Sequence, residues 1–447
     1  MMRGARLALG SAVAWMGCSA ESALGRLPSR DAGSDAVADA GTDLAPVDGV
    51  PVDRCAPTGA VFGRTETVRQ VTDARSFRLV SMTTVRTGTD LRVGTAAVRG
   101  SSLLWSVSDD RCGLLPGMGR WWGVQLGDLQ RDPDRGLRVE WSCLSDTWAG
   151  LRGLPIVTSQ GVGMLVRQHD LHYTSGRWEE NVFVLGSVRD DPPTFEASFA
   201  PLGLQTSAAF TVRDDGVDVV YRTRTQTREY VRLDASLSPT TEPVTLGEDG
   251  AELSIAPVGP QPWGDHLIGV WSPSARLGGG DRFEEFTAEG RVITRWELDE
   301  RVGLAGRNMR TQWLASTDCG VEFIASGSAD GATSQSYHGR VWEDGRWWLH
   351  PVTQGVSVQR VLRVGGLRVL AYVAGGPERD AVGLMAVDER GAVAIAPTVI
   401  DRGQAFLVGD VLPMPGTDEL AVLYSSRESQ DDPVLAKVAL VSLAGGR

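Results

Sequence analysis

The sequence predicts an all-β fold, a seven-bladed β-propeller preceded by a disordered stalk, on three observations. From about residue 56 the chain consists of short alternating or apolar runs rich in Val, Leu and aromatics. These are cut by Gly, Pro and Asp turns, with little 3.6-residue periodicity. A turn motif recurs in "DPDRGLRVEW", "FTAEGRVITRW", "HGRVWEDGRWWLHP" and "VDERGAVAIAP", each reading as strand, acidic turn, glycine, strand. With less regular turns at Asp190 and Pro239 and the chain end at Gly445, the centres fall at 136, 190, 239, 290, 345, 391 and 445, so the spacings are 54, 49, 51, 55, 46 and 54 residues.

A second motif keeps the same period. "GVGMLVR", "GVDVVYR", "HLIGVWS", "GVEFIAS", "LRVLAYV" and "ELAVLYS" begin at Gly161, Gly216, His266, Gly320, Leu367 and Glu419 and read as apolar inner strands. Two strand families on one period near fifty residues describe a four-stranded sheet repeated around an axis. Repetition of this kind lets 447 residues form one body where length alone suggests two or three domains.

The chain stops at Gly445-Gly446-Arg447, where the other repeats begin their last strand. An open edge there would leave backbone groups unpaired. "RSFRLVSMTTV", Arg75 to Val85, is expected to supply the missing outer strand and close the ring. The alternative parse makes that segment a first inner strand and gives eight blades.

The amino terminus carries a different message. Arg3 and Arg6 precede the short apolar run "LALGSAVAW", which ends in "MGCS" with Gly17 before Cys18. The run is too short to span a bilayer and reads as an export signal. It resembles the signal of a bacterial lipoprotein over about the first twenty residues, with Trp15 where leucine is more common. The resemblance implies cleavage after residue 17, diacylation of Cys18 and a lipid anchor in the cell envelope, with the outer membrane as the expected destination. A simple secretory signal, giving a periplasmic or secreted protein, is the alternative. Residues 18–54 place aspartates at 31, 35, 39, 43, 48 and 53 among Ala, Gly, Val and Pro, which predicts a solvated acidic tether. The propeller then occupies 55–447.

Four cysteines remain for an exported protein, Cys55, Cys112, Cys143 and Cys319, and an even number suggests two disulfides. Cys112 with Cys143 is favoured by proximity in sequence, and Cys55 with Cys319 follows by default. The formal net charge of −12 argues against nucleic-acid binding, which needs a basic surface. Lys437 is the only lysine.

Chemistry-bearing motifs are sparse. No G-x-S-x-G, P-loop or H-E-x-x-H occurs, and nothing calls for a cofactor. His169, Asp170 and His172 in "RQHDLHY" are weak metal candidates, weighed against a polar loop between strands. The Asp-Asp pairs at 109–110, 190–191, 214–215 and 431–432 are read as turn caps. Among fourteen tryptophans, the pairs Trp121-Trp122 and Trp347-Trp348 are candidates for stacking a ligand, against the alternative of packing between blades. The functional expectation is a lipid-anchored, non-enzymatic scaffold for a protein or polysaccharide partner. A glycan-active hydrolase or lyase with acids in the central funnel is the alternative.

Overall fold

A computed structural model describes residues 75–444, apart from 90, 116–118, 133–135, 145–149, 172–177, 191–192, 200–207, 224–226, 247–252, 257, 274–278, 302–307, 318–319, 328–334, 343–345, 376–379 and 430. The signal, Cys18, the tether and Cys55 lie outside these residues. No described helix is long and apolar enough to cross a membrane.

The described chain is all-β, built from antiparallel sheets whose strands follow chain order. β1 (Ser76–Gly88) is followed by a sheet of β2 (Arg92–Arg99), β3 (Ser102–Leu115), β4 (Gly119–Asp132) and β5 (Gly136–Cys143). The pattern repeats in β6 (Gly150–Thr158), β7 (Gly161–Leu171), β8 (Trp178–Asp190) and β9 (Pro193–Phe199), then in β10 (Ala208–Arg213), β11 (Gly216–Arg222), β12 (Arg228–Asp234) and β13 (Val244–Thr245). In the next sheet β14 (Leu253–Ile255) and β15 (Gln261–Trp263) both pair β16 (His266–Pro273), which continues to β17 (Arg282–Phe286) and β18 (Val292–Glu297). After the one-turn helix α1 (Leu298–Arg301) comes a sheet of β19 (Arg310–Thr317), β20 (Gly320–Gly327), β21 (Gln335–Val341) and β22 (Trp347–Gln354).

The last strands form a continuous path: β23 (Val356–Val364), β24 (Leu367–Ala374), β25 (Asp380–Val387), β26 (Val393–Pro413), β27 (Glu419–Arg427) and β28 (Val434–Ala444), ending on β1. β26 is long because it serves twice. Its first half pairs β25, from Val387↔Val393 to Asp380↔Gly403, and its second half pairs β27, from Gln404↔Arg427 to Pro413↔Leu420. β1 lies antiparallel on β28 from Ser76↔Ala444 to Gly88↔Val434. The amino-terminal strand therefore covers the edge left by the carboxy terminus, three residues longer at its far end than the sequence suggests.

The turn motif falls between the third and fourth strand of each group. Gly136, Gly290 and Gly391 have φ of 86°, 85° and 74°, a left-handed conformation that side chains with a Cβ disfavour. The motif starting at Gly161, Gly216, His266, Gly320, Leu367 and Glu419 forms the second strand of each group, and β11 and β20 are buried at every residue. Two details differ from expectation. Asp109 sits inside β3, not in a turn, and the second strands carry buried charges: Asp218, Glu322 and Arg368.

Neighbouring sheets meet through their first strands at close range. A Cβ on Gly94 of β2 would lie 2.4 Å from the Gly153 carbonyl of β6, and one on Gly409 of β26 would lie 2.5 Å from the Gly94 carbonyl. The Gly94 Cβ would first meet the Ser106 hydroxyl at 2.1 Å, whereas the two carbonyls are backbone and yield only if the strands move apart. Gly94→Ala is expected to destabilise the fold by about 1–3 kcal/mol, the usual cost of overpacking, as read from a denaturant midpoint. An unchanged midpoint would mean that these strands are not in contact.

Candidate functional site

The tryptophan-rich hairpin carries two of the indoles expected to be candidates for ligand stacking, Trp347 and Trp348. Trp348 pairs with Arg340 across β21 and β22 and is 1% exposed. Its ring meets the edge of His338 at 5.2 Å and lies 5.8 Å from His350. A ligand cannot reach it, so the stacking role is corrected to packing. Trp347 is half-buried and packs against the cluster holding Val321, Phe323 and Leu349. Alternation along the strand turns one indole towards each side, and the sequence could not say which neighbouring sheet covers each face.

Other expected site residues fall unevenly. Trp121 and Trp122 belong to β4, but their side chains lie outside the described residues. His169 and Asp170 belong to β7, opposite Asn181 and Glu179 of β8, where a loop was the alternative reading. Their side chains and all of His172 lie outside the described residues, as do Cys319 and the side chain of Cys112. Cys143 ends β5. Among the described residues no group of three or more His, Cys, Asp or Glu is placed to hold a metal ion.

The pattern of alternation does not reveal a set of buried and partly buried ion pairs, most of which join strands of different sheets. Arg368 of β24 holds Glu322 of β20 through two bonds of 2.6 and 2.7 Å, and His338 Nε2 contacts the same carboxylate. Burial favours the neutral form of Glu322, but His338 and Arg368 outweigh it and hold the pKa at about 2. Arg228 of β12 reaches Glu284 of β17 at 2.5 Å and stacks over Trp271 at 4.5 Å. Arg310 of β19 bonds Asp281, just before β17, at 3.1 Å. Arg86 of β1 bonds Asp109 of β3 at 3.0 Å, and Arg131 of β4 bonds Glu419 of β27 at 3.1 Å. Lys437 of β28 bonds Asp401 of β26 at 2.8 Å. These groups lock orientation between sheets, since a buried charge tolerates little loss of its partner.

A cavity of about 370 Å³ opens among the first strands, lined by Thr95, Ala96, Ala97, Val98, Pro155, Val157, Phe210, Val212 and Asp410. Its walls follow the repeat. Counting back from the pair that closes each hairpin, Arg99↔Ser102, Thr158↔Gly161, Arg213↔Gly216 and Pro413↔Leu420, the third residue back is Ala96, Pro155, Phe210 or Asp410. The residue just before the closing pair is Val98, Val157 or Val212 in the first three, and Val98 and Val212 are 40% and 41% exposed.

Asp410 is the polar exception in this apolar rung. The Ala96 amide donates to Oδ2 at 3.0 Å and its own neighbour, the Val411 amide, donates to Oδ1 at 2.9 Å. Burial raises its pKa, and Arg360 and the two amides oppose that rise. The sequence carries a signal for it in "LVGDVLP", an acid inside an apolar run.

No known protein family and no curated protein matches the chain. Several solved structures follow a similar course. Polysaccharide lyase Uly1 shows a TM-score of 0.47 and 10% identity, over 86% of this chain and 97% of that one. The β-propeller domain of Vanderwaltozyma polyspora Nup133 shows 0.44 and 11%, over 83% and 99%. A subtype N11 neuraminidase-like protein of A/flat-faced bat/Peru shows 0.40 and 9%, over 64% and 87%. The expectation of a non-enzymatic chain is corrected on this point, because the similar structures include a neuraminidase-like protein and a polysaccharide lyase.

Proposed function

We propose that the chain is a seven-bladed β-propeller, held in the cell envelope by lipid on Cys18 and an acidic tether, that recognises a protein or polysaccharide partner. The observation that supports this reading most is the double use of β26. Divided at Gly403 and Gln404, it gives β23, β24, β25 and its own first half as one four-stranded blade, and its second half with β27, β28 and β1 as the next. With the five sheets before them this makes seven.

Contacts between first strands run around a ring. Asp410 of β26 meets Ala96 of β2, and Ser106, on the strand beside β2, meets the Gly153 carbonyl of β6. Gln261 of β15 bonds Thr211 of β10 at 2.9 Å, and Ser316 of β19 bonds the Pro262 carbonyl of β15. Trp313 of β19 packs against the cluster that holds Val358 of β23, and Arg360 of β23 bonds the Gly409 carbonyl of β26 at 2.7 Å. A ring pinned at its seams by buried ion pairs is rigid, and rigidity reduces the ordering cost of binding. In this reading Cys143 is bridged to Cys112, and the outer membrane is the destination.

Two readouts test the proposal. Labelled palmitate is expected to enter the full chain and to be lost in Cys18→Ala, while unchanged labelling would remove the anchor. The purified chain is expected to retain an envelope polysaccharide or protein above background. Retention no greater than that of the heat-unfolded chain would remove the recognition role.

A further inference from the structure

We propose that the cavity among β2, β6, β10 and β26 binds a small organic cation, an amine on an apolar body, with Asp410 as its counter-ion. The inference rests on the ring of first strands described above, and it adds a ligand class and a site to that reading.

Size and lining come first. About 370 Å³ falls at the lower end of small-molecule sites. Seven of its nine lining residues are Ala, Val, Pro or Phe, with Thr95 and Asp410 as the polar exceptions. Such walls select an apolar body, and the exposed Val98 and Val212 extend the apolar surface outward.

The charge comes second. Asp410 occupies the rung where Ala96, Pro155 and Phe210 stand in neighbouring sheets, so the repeat itself does not require an acid there. Among the described residues it has no ion-pair partner. This sets it apart from Glu322, Glu284, Asp281 and Asp109, each of which is met by an arginine. Arg360 contributes a positive field, but its guanidinium is committed to the Gly409 carbonyl at 2.7 Å and the Gln359 carbonyl at 2.8 Å.

The two amides use one lone pair on each oxygen, and a carboxylate has about four acceptor sites in all. An ammonium group entering the cavity would meet the remaining ones and supply the missing counter-charge. The same burial that raises the carboxyl pKa favours an ion pair, because low dielectric strengthens the attraction. A neutral isostere gains the apolar contact without this term.

The test uses the full chain with benzylamine and benzyl alcohol, alike in body and different in charge, titrated by calorimetry. The amine is expected to bind at least about tenfold more tightly. Asp410→Asn, which keeps an acceptor for the Ala96 amide, should shrink the difference to less than about twofold. Val98→Trp, at an exposed lip position, should abolish binding of both compounds without changing the thermal midpoint. Equal binding of the two compounds by the unaltered chain, or binding of neither, overturns the proposal, as does a preference that survives Asp410→Asn. Where Asp410→Asn fails to fold, Val98→Trp decides: amine binding that persists in it sends the ligand elsewhere. Failure here leaves polysaccharide or protein retention unaffected, so the two readings fall separately.

Discussion

Glu322→Ala is expected to lower the stability of the folded chain by about 3–5 kcal/mol, the cost of leaving a buried charge without its partner. Arg368 is 1% exposed and donates two bonds to this carboxylate, so the substitution strands a guanidinium inside the protein. His338 loses the same partner at 0% exposure. Truncation also opens a void between β20 and β24, where side chains cannot collapse without moving the sheets. Chemical denaturation measures the loss directly, and a change below about 1 kcal/mol would mean that the pair is solvated.

The same carboxylate sets an acid limb. Its folded pKa of about 2 lies below the ordinary 4.5, so its contribution is complete above pH 4.5 and is lost as pH falls towards 2. The sign follows from proton binding: the unfolded chain takes up the proton first, so acid favours unfolding. The unaltered chain should lose stability across that window more steeply than the Glu322→Ala variant, whose profile lacks this component.

Deleting Ser76–Gly88 is expected to abolish cooperative folding. The deletion removes Phe77, 5% exposed in the cluster with Val408, Val422 and Tyr424, for which a Phe→Ala change alone costs about 3–5 kcal/mol. It takes Arg86 away from buried Asp109. It also exposes the whole edge of β28, with Val434, Ala436, Val438 and Leu440 nearby in the core, as a template for aggregation. Loss of a sharp thermal transition and gain of dye binding are the expected readouts. A deletion that melts like the full chain would show that β1 closes nothing.

How far these features could be read in advance depends on which physical signal carries them. The hairpins around Gly136, Gly290 and Gly391 were legible because a left-handed turn residue and an acidic neighbour are local requirements. The strand over Arg75–Val85 was legible from its alternating apolar residues, and β1 lies antiparallel on β28. The seams were not legible. Period-two patterning shows that Asp218 and Glu322 lie on a strand, but not that Arg213 and Arg368 await them across a hairpin or a neighbouring sheet. Trp348 stayed open between packing and stacking for the same reason, because both faces of β22 look equally apolar in sequence and only the adjoining sheet decides what is covered. Asp410 was visible as an acid among apolar residues, yet its meaning depends on three residues in three other sheets.

In the proposed seven-bladed reading, β1 and β28 belong to one blade. Thr83 of β1 and Val438 of β28 stand directly opposite in the register. Opposed residues of antiparallel strands have Cβ atoms about 4.5–5.5 Å apart, near enough for a disulfide to close with small backbone adjustment. The chain carrying Thr83→Cys and Val438→Cys is therefore expected to form that bond under mild oxidation, seen as one cross-linked peptide by mass spectrometry, with a raised thermal midpoint. Free thiols at both positions in a folded chain would contradict it, placing Arg75–Val85 in a separate first blade and returning the count to eight.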